Sequence, residues 1–183
     1  MTSTSLTACA QQIIFYEDRN FGGRRYECMS DCADLHSMFN RCQSIRVESG
    51  MFVIYDHPGF NGNQYFIRRG DYADYMTMMN MSDCVRSCRM IPLHCGNFRM
   101  RLFNHVDMEG QMMELMDDCP NLMERFCTFD FNSCNVIDGH WLMYEQPNYR
   151  GRHYYLRTGE YRKHSEWGAE TPRIGSIRRI MDL

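Results

Sequence analysis

The eight residues Tyr16-Glu-Asp-Arg-Asn-Phe21-Gly-Gly23 return as Tyr55-Asp-His-Pro-Gly-Phe60-Asn-Gly62, as Phe103-Asn-His-Val-Asp-Met108-Glu-Gly110, and as Tyr144-Glu-Gln-Pro-Asn-Tyr149-Arg-Gly151. In each copy a glycine follows the first ring by seven residues, and in three of the four a second ring stands five residues after the first. The copies start 39, 48 and 41 residues apart. A period near 40 fits solenoids, propellers or paired β units. Helical solenoids are disfavoured because the residues leading into each copy alternate with period two, as in Gln12-Ile-Ile-Phe-Tyr16, Met51-Phe-Val-Ile-Tyr55, Met100-Arg-Leu-Phe103 and Trp141-Leu-Met-Tyr144. A second extended run follows each glycine, such as Arg24-Arg-Tyr-Glu-Cys28 or Asn63-Gln-Tyr-Phe-Ile67. Strand, glycine turn, strand, loop and returning strand make a Greek key.

Four such units are predicted. The glycine at the seventh position is expected at positive φ, and a serine 21 to 25 residues further on is expected to hydrogen-bond the folded hairpin's backbone. That serine is Ser44, Ser133 and Ser176; the second unit has Cys84-Val-Arg-Ser at that point, and Cys84 is expected in the serine's place. The expected hairpin residues are therefore Tyr16, Phe21, Gly23 and Ser44; Tyr55, Phe60, Gly62 and Cys84; Phe103, Met108, Gly110 and Ser133; and Tyr144, Tyr149, Gly151 and Ser176.

The units pair again at a higher level. Offsets of 87 (Tyr16 to Phe103) and 89 (Tyr55 to Tyr144) mark the duplication of a two-repeat block. The even repeats share Arg69-Gly-Asp-Tyr72 and Thr158-Gly-Glu-Tyr161, where Tyr72 and Tyr161 are expected to make corner hydrogen bonds to nearby backbone. The long middle gap holds Ile91-Pro-Leu-His-Cys-Gly-Asn97, a short linker. The predicted architecture is all-β, with two β-sandwich domains of two Greek keys each. An N-terminal extension covers 1–11 and is expected to be flexible. The first domain covers 12–92, with motifs about 12–50 and 51–92. The linker is 93–97, and the second domain covers 98–183, with motifs about 98–139 and 140–183.

Composition narrows the function. Twenty Lys and Arg against 23 Asp and Glu leave a net charge of −3, so no global positive field holds nucleic acid or an anionic membrane. No apolar run reaches membrane-spanning length, and the start of the chain lacks a basic, apolar leader, so the expected compartment is reducing. The ten cysteines include no C-x-x-C; with Cys28/Cys32 and Cys84/Cys88 four apart they read as free thiols packed as small hydrophobes. Three counts stand out: 17 Met beside 10 Cys, 13% aromatic residues, and a single lysine, Lys163, among the 20 basic residues. Met76, Met78, Met79 and Met81 crowd one short stretch in which burial of all four is not expected.

At this point the chain resembles a known family. Tyr16 to Cys28 is similar to the opening of the gamma-crystallins of the vertebrate lens. Gly70-Asp-Tyr-Ala-Asp74, Ser82-Asp-Cys-Val-Arg-Ser-Cys-Arg-Met-Ile-Pro92 and Trp167-Gly-Ala with Gly175-Ser-Ile-Arg-Arg179 strengthen the match, which covers about residues 12 to 183. Methionine richness, and the absence of Trp from the first half, resemble the M-type gamma-crystallins of fish. Phe52 and Met78 stand where relatives often carry Trp. The resemblance implies that the two domains pair through small apolar patches: Val53, Phe66 and Ile91 in the first, Leu142, Tyr155 and Ile174 in the second.

Other chemistries fare worse. The seven histidines (His36, His57, His94, His105, His140, His153 and His164) form no recognisable catalytic signature, so no enzyme is expected. Calcium sites in microbial members of this fold need paired Asn or Asp ahead of the hairpin serine, and none of the four stretches here supplies them. Arg-aromatic clusters such as Arg24-Arg-Tyr26 and Arg150-Gly-Arg-His-Tyr-Tyr155 carry acidic neighbours and read as cross-strand ion pairs. The expectation is a structural protein of the eye lens, in the cytoplasm of fibre cells. It is mainly monomeric, associates weakly with itself and with other crystallins, and takes no cofactor, metal, nucleic acid or membrane. Sulfur, rings and guanidinium groups raise refraction, which accounts for all three unusual counts together. The competing reading is a non-lens calcium- or ligand-binding module of the same fold.

Overall fold

A computed structural model describes residues 10–181. The chain divides into two compact units between Pro92 and Leu93, except that Gly62–Gln64 are grouped with the second. The first contains β1 (Gln12–Tyr16), β2 (Arg25–Cys28), β3 (Ser44–His57), β4 (Asn61–Tyr72), a one-turn helix α1 (Tyr75–Met78) and β5 (Ser87–Ile91). The second contains β6 (Arg99–Phe103), β7 (Met112–Leu115), helix α2 (Leu122–Phe126), β8 (Ser133–Asp138), β9 (Trp141–Gln146), β10 (Arg150–Leu156), β11 (Gly159–Tyr161) and β12 (Ser176–Arg179). The fold is all-β, with two domains of antiparallel Greek keys.

The second unit shows two separate sheets, ordered β10-β9-β12 and β11-β8-β6-β7. The first repeats this plan with fused strands. Its β3 runs unbroken for 14 residues, pairing with β1 through Ser44–Ser49 and with β5 through Met51–Tyr55. The counterparts of its two halves, β8 and β9, are separated at Gly139. Both crossings pass through a glycine at positive φ, Gly50 at 86° and Gly139 at 85°. At either one an added Cβ would lie 2.4 Å from a side chain that fills the bend, Gln11 or Phe98, so glycine is required there.

Period two sets the burial. Ile13 and Phe15 of β1 oppose Val47 and Ile45 of β3, and all four point inward. Met100 and Leu102 of β6 oppose Val136 and Cys134 of β8 in the same way. These rows seed a core in each unit. The first gathers Leu35, Phe39, Phe52, Ile54, Ile67 and Tyr75, the second Leu122, Phe131, Trp141, Tyr154, Trp167 and Ile177.

Two expectations need amendment. Residues 1–9 of the predicted flexible extension lie outside the described residues. Its last residue, Gln11, is buried; its Nε2 donates to the Ile91 carbonyl (2.9 Å) and its Oε1 accepts from the Met51 N–H (3.2 Å). Residue 11 thus belongs to the first domain, because both ends of its amide are satisfied by backbone there. Met78, placed by the resemblance where a Trp often stands, is 59% exposed, whereas Tyr75 is wholly buried. Tyr75 donates its hydroxyl to the Cys42 carbonyl and accepts from the Val85 N–H, both at 3.0 Å, so a buried ring with a satisfied polar end occupies the core.

Candidate functional site: four folded hairpins

Each repeat folds its first turn back onto its own sheet by the same few contacts. A serine hydroxyl at the start of the returning strand donates to one hairpin carbonyl and accepts from one hairpin N–H. Ser44 donates to Asp18 C=O (2.5 Å) and accepts from Phe21 N–H (3.0 Å). Ser133 donates to His105 C=O (2.6 Å) and accepts from Met108 N–H (2.9 Å). Ser176 donates to Gln146 C=O (2.6 Å) and accepts from Tyr149 N–H (2.9 Å).

In the second repeat the serine is Ser87, not Cys84. Ser87 donates to His57 C=O (2.6 Å) and accepts from Phe60 N–H (3.1 Å). The separation from hairpin residue to serine is 27 there, as it is in the fourth repeat, against 23 and 25 in the odd repeats. The window of 21 to 25 residues after the glycine admits both Cys84 and Ser87, which follow Gly62 by 22 and 25 residues, so spacing alone does not choose between them. A better signal was present in the chain. Ser44-Ile-Arg46, Ser87-Cys-Arg89 and Ser176-Ile-Arg178 share Ser-x-Arg. Cys84 instead directs its thiol toward the Cys42 carbonyl oxygen, 3.5 Å away.

These serines hold a strained backbone. Phe21, Phe60, Met108 and Tyr149 all sit at φ between 56° and 61°, and each is preceded by a second left-handed residue: Asn20, Gly59, Asp107 or Asn148. A bulky residue in this region costs on the order of 1 kcal/mol or more. Two hydrogen bonds from a fully buried serine, about 1 kcal/mol each, are the right size to offset it. The seventh-position glycines follow at φ of 74° to 83° (Gly23, Gly62, Gly110 and Gly151).

The strain aims the second ring at the first. Tyr16 and Phe21 meet edge to face at 5.5 Å between centroids, Tyr55 and Phe60 at 5.8 Å, and Tyr144 and Tyr149 at 5.7 Å. The arginine of Ser-x-Arg then covers the second ring: Arg46 over Phe21 at 4.2 Å, Arg89 over Phe60 at 4.0 Å, Arg178 over Tyr149 at 5.2 Å. In the third repeat ring and cation are both absent, as Met108 and Asn135. That hairpin is held by side-chain amides instead. Asn132 Nδ2 donates to Asn104 C=O (2.7 Å), and Asn104 Oδ1 accepts from Gln111 N–H (2.8 Å).

The corner tyrosines close the even repeats. Tyr72 donates to the Arg68 carbonyl (2.9 Å) and Tyr161 to the Arg157 carbonyl (3.2 Å). The six proposed patch residues lie as follows. Val53, Ile91, Leu142 and Tyr155 are buried, Phe66 is half-buried, and Ile174 is part of the second domain's core. Many surface arginines are paired with carboxylates, including Arg24 with Glu17 (2.7 Å), Arg41 with Asp18 (2.6 Å), and Arg99 and Arg101 with Glu114 (3.0 and 3.1 Å). The guanidinium partners hold the Glu17 and Glu114 carboxyls below the usual carboxylate range.

Two tandem double-Greek-key domains, each hairpin pinned by a buried serine, define a class of repeat β-sandwich. The chain belongs to the Beta/Gamma crystallin family, whose model matches residues 12–91 and 99–180. It is 57% identical to gamma-crystallin-1 of Xenopus laevis over 169 residues, covering 92% of this chain and 97% of that one. It is 57% identical to gamma-crystallin M2 of Chiloscyllium indicum over 171 residues (93% and 97%), and 56% identical to gamma-crystallin M3 of Cyprinus carpio over 172 residues (94% and 98%).

Proposed function

We propose that the protein is a structural, non-enzymatic constituent of the eye lens, accumulated as a soluble monomer in the cytoplasm of fibre cells to raise refractive index while keeping the medium transparent. The observation that carries this reading is the identity of more than half of all residues, over more than nine-tenths of the chain, with gamma-crystallins.

The physical features fit that role. Polarizable groups are concentrated well beyond the needs of the cores. Met29, Met38, Met78, Met112, Met116 and Met181 are exposed, where a thioether contributes refraction without serving as packing filler. Arginines lie over rings in repeats one, two and four, so π-systems are stacked at the surface. Mixed-sign ion pairs and a small net charge keep long-range repulsion and attraction both low, so neighbours in a concentrated solution meet through soft, weak contacts.

Differential refractometry tests the optical half of the proposal. The refractive-index increment is expected to exceed that of a globular protein of average composition, and immunolocalisation is expected to place the protein in lens fibre cells. An average increment together with broad, low-level expression would overturn it.

A further inference from the structure

The thiol of Cys84, released from hairpin duty by Ser87, stands 3.9 Å from the thioether sulfur of Met76. Both sulfur-bearing residues line a pocket of about 180 Å³ bordered also by His36, Arg41, Asp83 and Arg86. Met76 opens the run Met76-Thr-Met-Met-Asn-Met81, in which only Met81 is buried. Met76 and Met79 are half-buried against the first domain's core, and the Cys84 thiol stands beside Met76 at the core's rim.

We propose that Cys84 and Met76 form a binding site for a soft monovalent metal ion of the cuprous class. Thiolate and thioether donors together select such ions over hard cations. A three-coordinate ion with metal–sulfur bonds of about 2.3 Å holds its two sulfurs about 4 Å apart, close to the separation already present. The charge balance agrees. Binding breaks the Cys84 S–H bond, releases the proton to solvent and forms a sulfur–metal bond, so thiolate and monovalent ion make a neutral unit. A divalent ion on the same donors would leave one net positive charge on the site. Exposed His36 supplies an imidazole for the third position. Cys42 is not that ligand, because its thiol faces the Ser44 carbonyl at 3.7 Å and burial pushes its pKa up to about 12. Among the described residues no three His, Cys, Asp or Glu side chains are placed to hold a metal. Nor does cysteine spacing in the sequence mark a site. The thioether completes this one.

Silver(I), which is redox-inert, is the probe. It is titrated into the reduced full-length protein carrying ¹³C-methyl methionine, with methyl resonances followed by NMR and bound ions counted by native mass spectrometry. The Met76 methyl is expected to shift before the other methionine methyls. Cys84→Ser is expected to abolish that shift without moving the unfolding midpoint, and Cys28→Ser, at a buried thiol whose sulfur neighbours are Cys32 and Cys88, to leave it intact. Met76→Leu, which keeps the thiol, is expected to retain one ion fewer at micromolar silver. A Met76 methyl that stays in place until the thiols are saturated overturns the proposal. So does a shift that survives in Cys84→Ser, or an unchanged ion count in Met76→Leu.

Discussion

The guanidinium carbon of Arg89 lies 4.0 Å above the centre of the Phe60 ring, and Phe60 holds that position only through a left-handed backbone pinned by Ser87, two residues before Arg89. One tripeptide, Ser-x-Arg, therefore both fixes the hairpin and covers its ring. The arrangement recurs in the first and fourth repeats and is replaced as a unit in the third, where Met108 and Asn135 stand in.

Ser87→Ala is expected to lower the stability of the first domain by about 2 kcal/mol, since it strips a buried hairpin of two hydrogen bonds and leaves the His57 carbonyl without its serine donor. Cys84→Ser should change stability by less than about 0.5 kcal/mol. Equilibrium urea unfolding followed by circular dichroism distinguishes them. Equal effects would return the hairpin role to position 84.

The third repeat offers a gain. Met108→Phe and Asn135→Arg made together should stabilise the second domain through a coupling of about 0.5–1 kcal/mol that neither change produces alone. A double-mutant cycle on the tryptophan unfolding transition reads it, and additivity would refute the pairing.

Mild acid should weaken the second domain first. Burial is the main cause lowering the pKa of His153, to about 4, and of His140, where His94 and Arg157 add like-charge repulsion. Their unfolded values lie near 6.5, so the unfolded chain takes up protons that the folded one refuses. Stability supplied by the neutral rings is complete above about pH 6.5 and is lost as pH falls toward 4, by about 2 kcal/mol for His153 after allowing for its partial exposure. Both Trp141 and Trp167 belong to this domain and report its midpoint. His153→Gln should flatten the loss between pH 6.5 and 4.5; an unchanged slope there would count against the assignment.

Thiol chemistry should follow exposure. Among the described cysteines, Cys95 and Cys127 are exposed and are expected to alkylate first in the native protein. Cys42 and Cys134 are buried and pushed well above the ordinary thiol range by desolvation, and should react only as the domain opens. Peptide mapping after timed iodoacetamide exposure gives the order.

Where the sequence was legible, strict local rules were at work. Alternation set β1, β6 and β9, and the ring-to-glycine spacing located every hairpin, because positive φ at Gly23, Gly62, Gly110 and Gly151 cannot be supplied cheaply by other residues. Loop length hid the rest. The hairpin serine is fixed by the returning strand, not by distance along the chain, so of Cys84 and Ser87, both within the spacing window after Gly62, the residue that opens β5 takes the role. Likewise Tyr75 and Met78 compete for one core, and only three-dimensional packing decides that the ring goes in while the thioether stays out. Cys84 and Met76 lie eight residues apart, with no period linking them.

Strand β3 gives the first domain a mechanical property that its twin lacks. Its 14 residues are laced into both sheets, so the two faces of that sandwich share one uninterrupted cable, and a fluctuation that loosens either face tugs on the other. In the second domain the cable is cut at Gly139, and β8 and β9 can loosen independently. The first half is built to open all at once or not at all, while the second can breathe one face at a time.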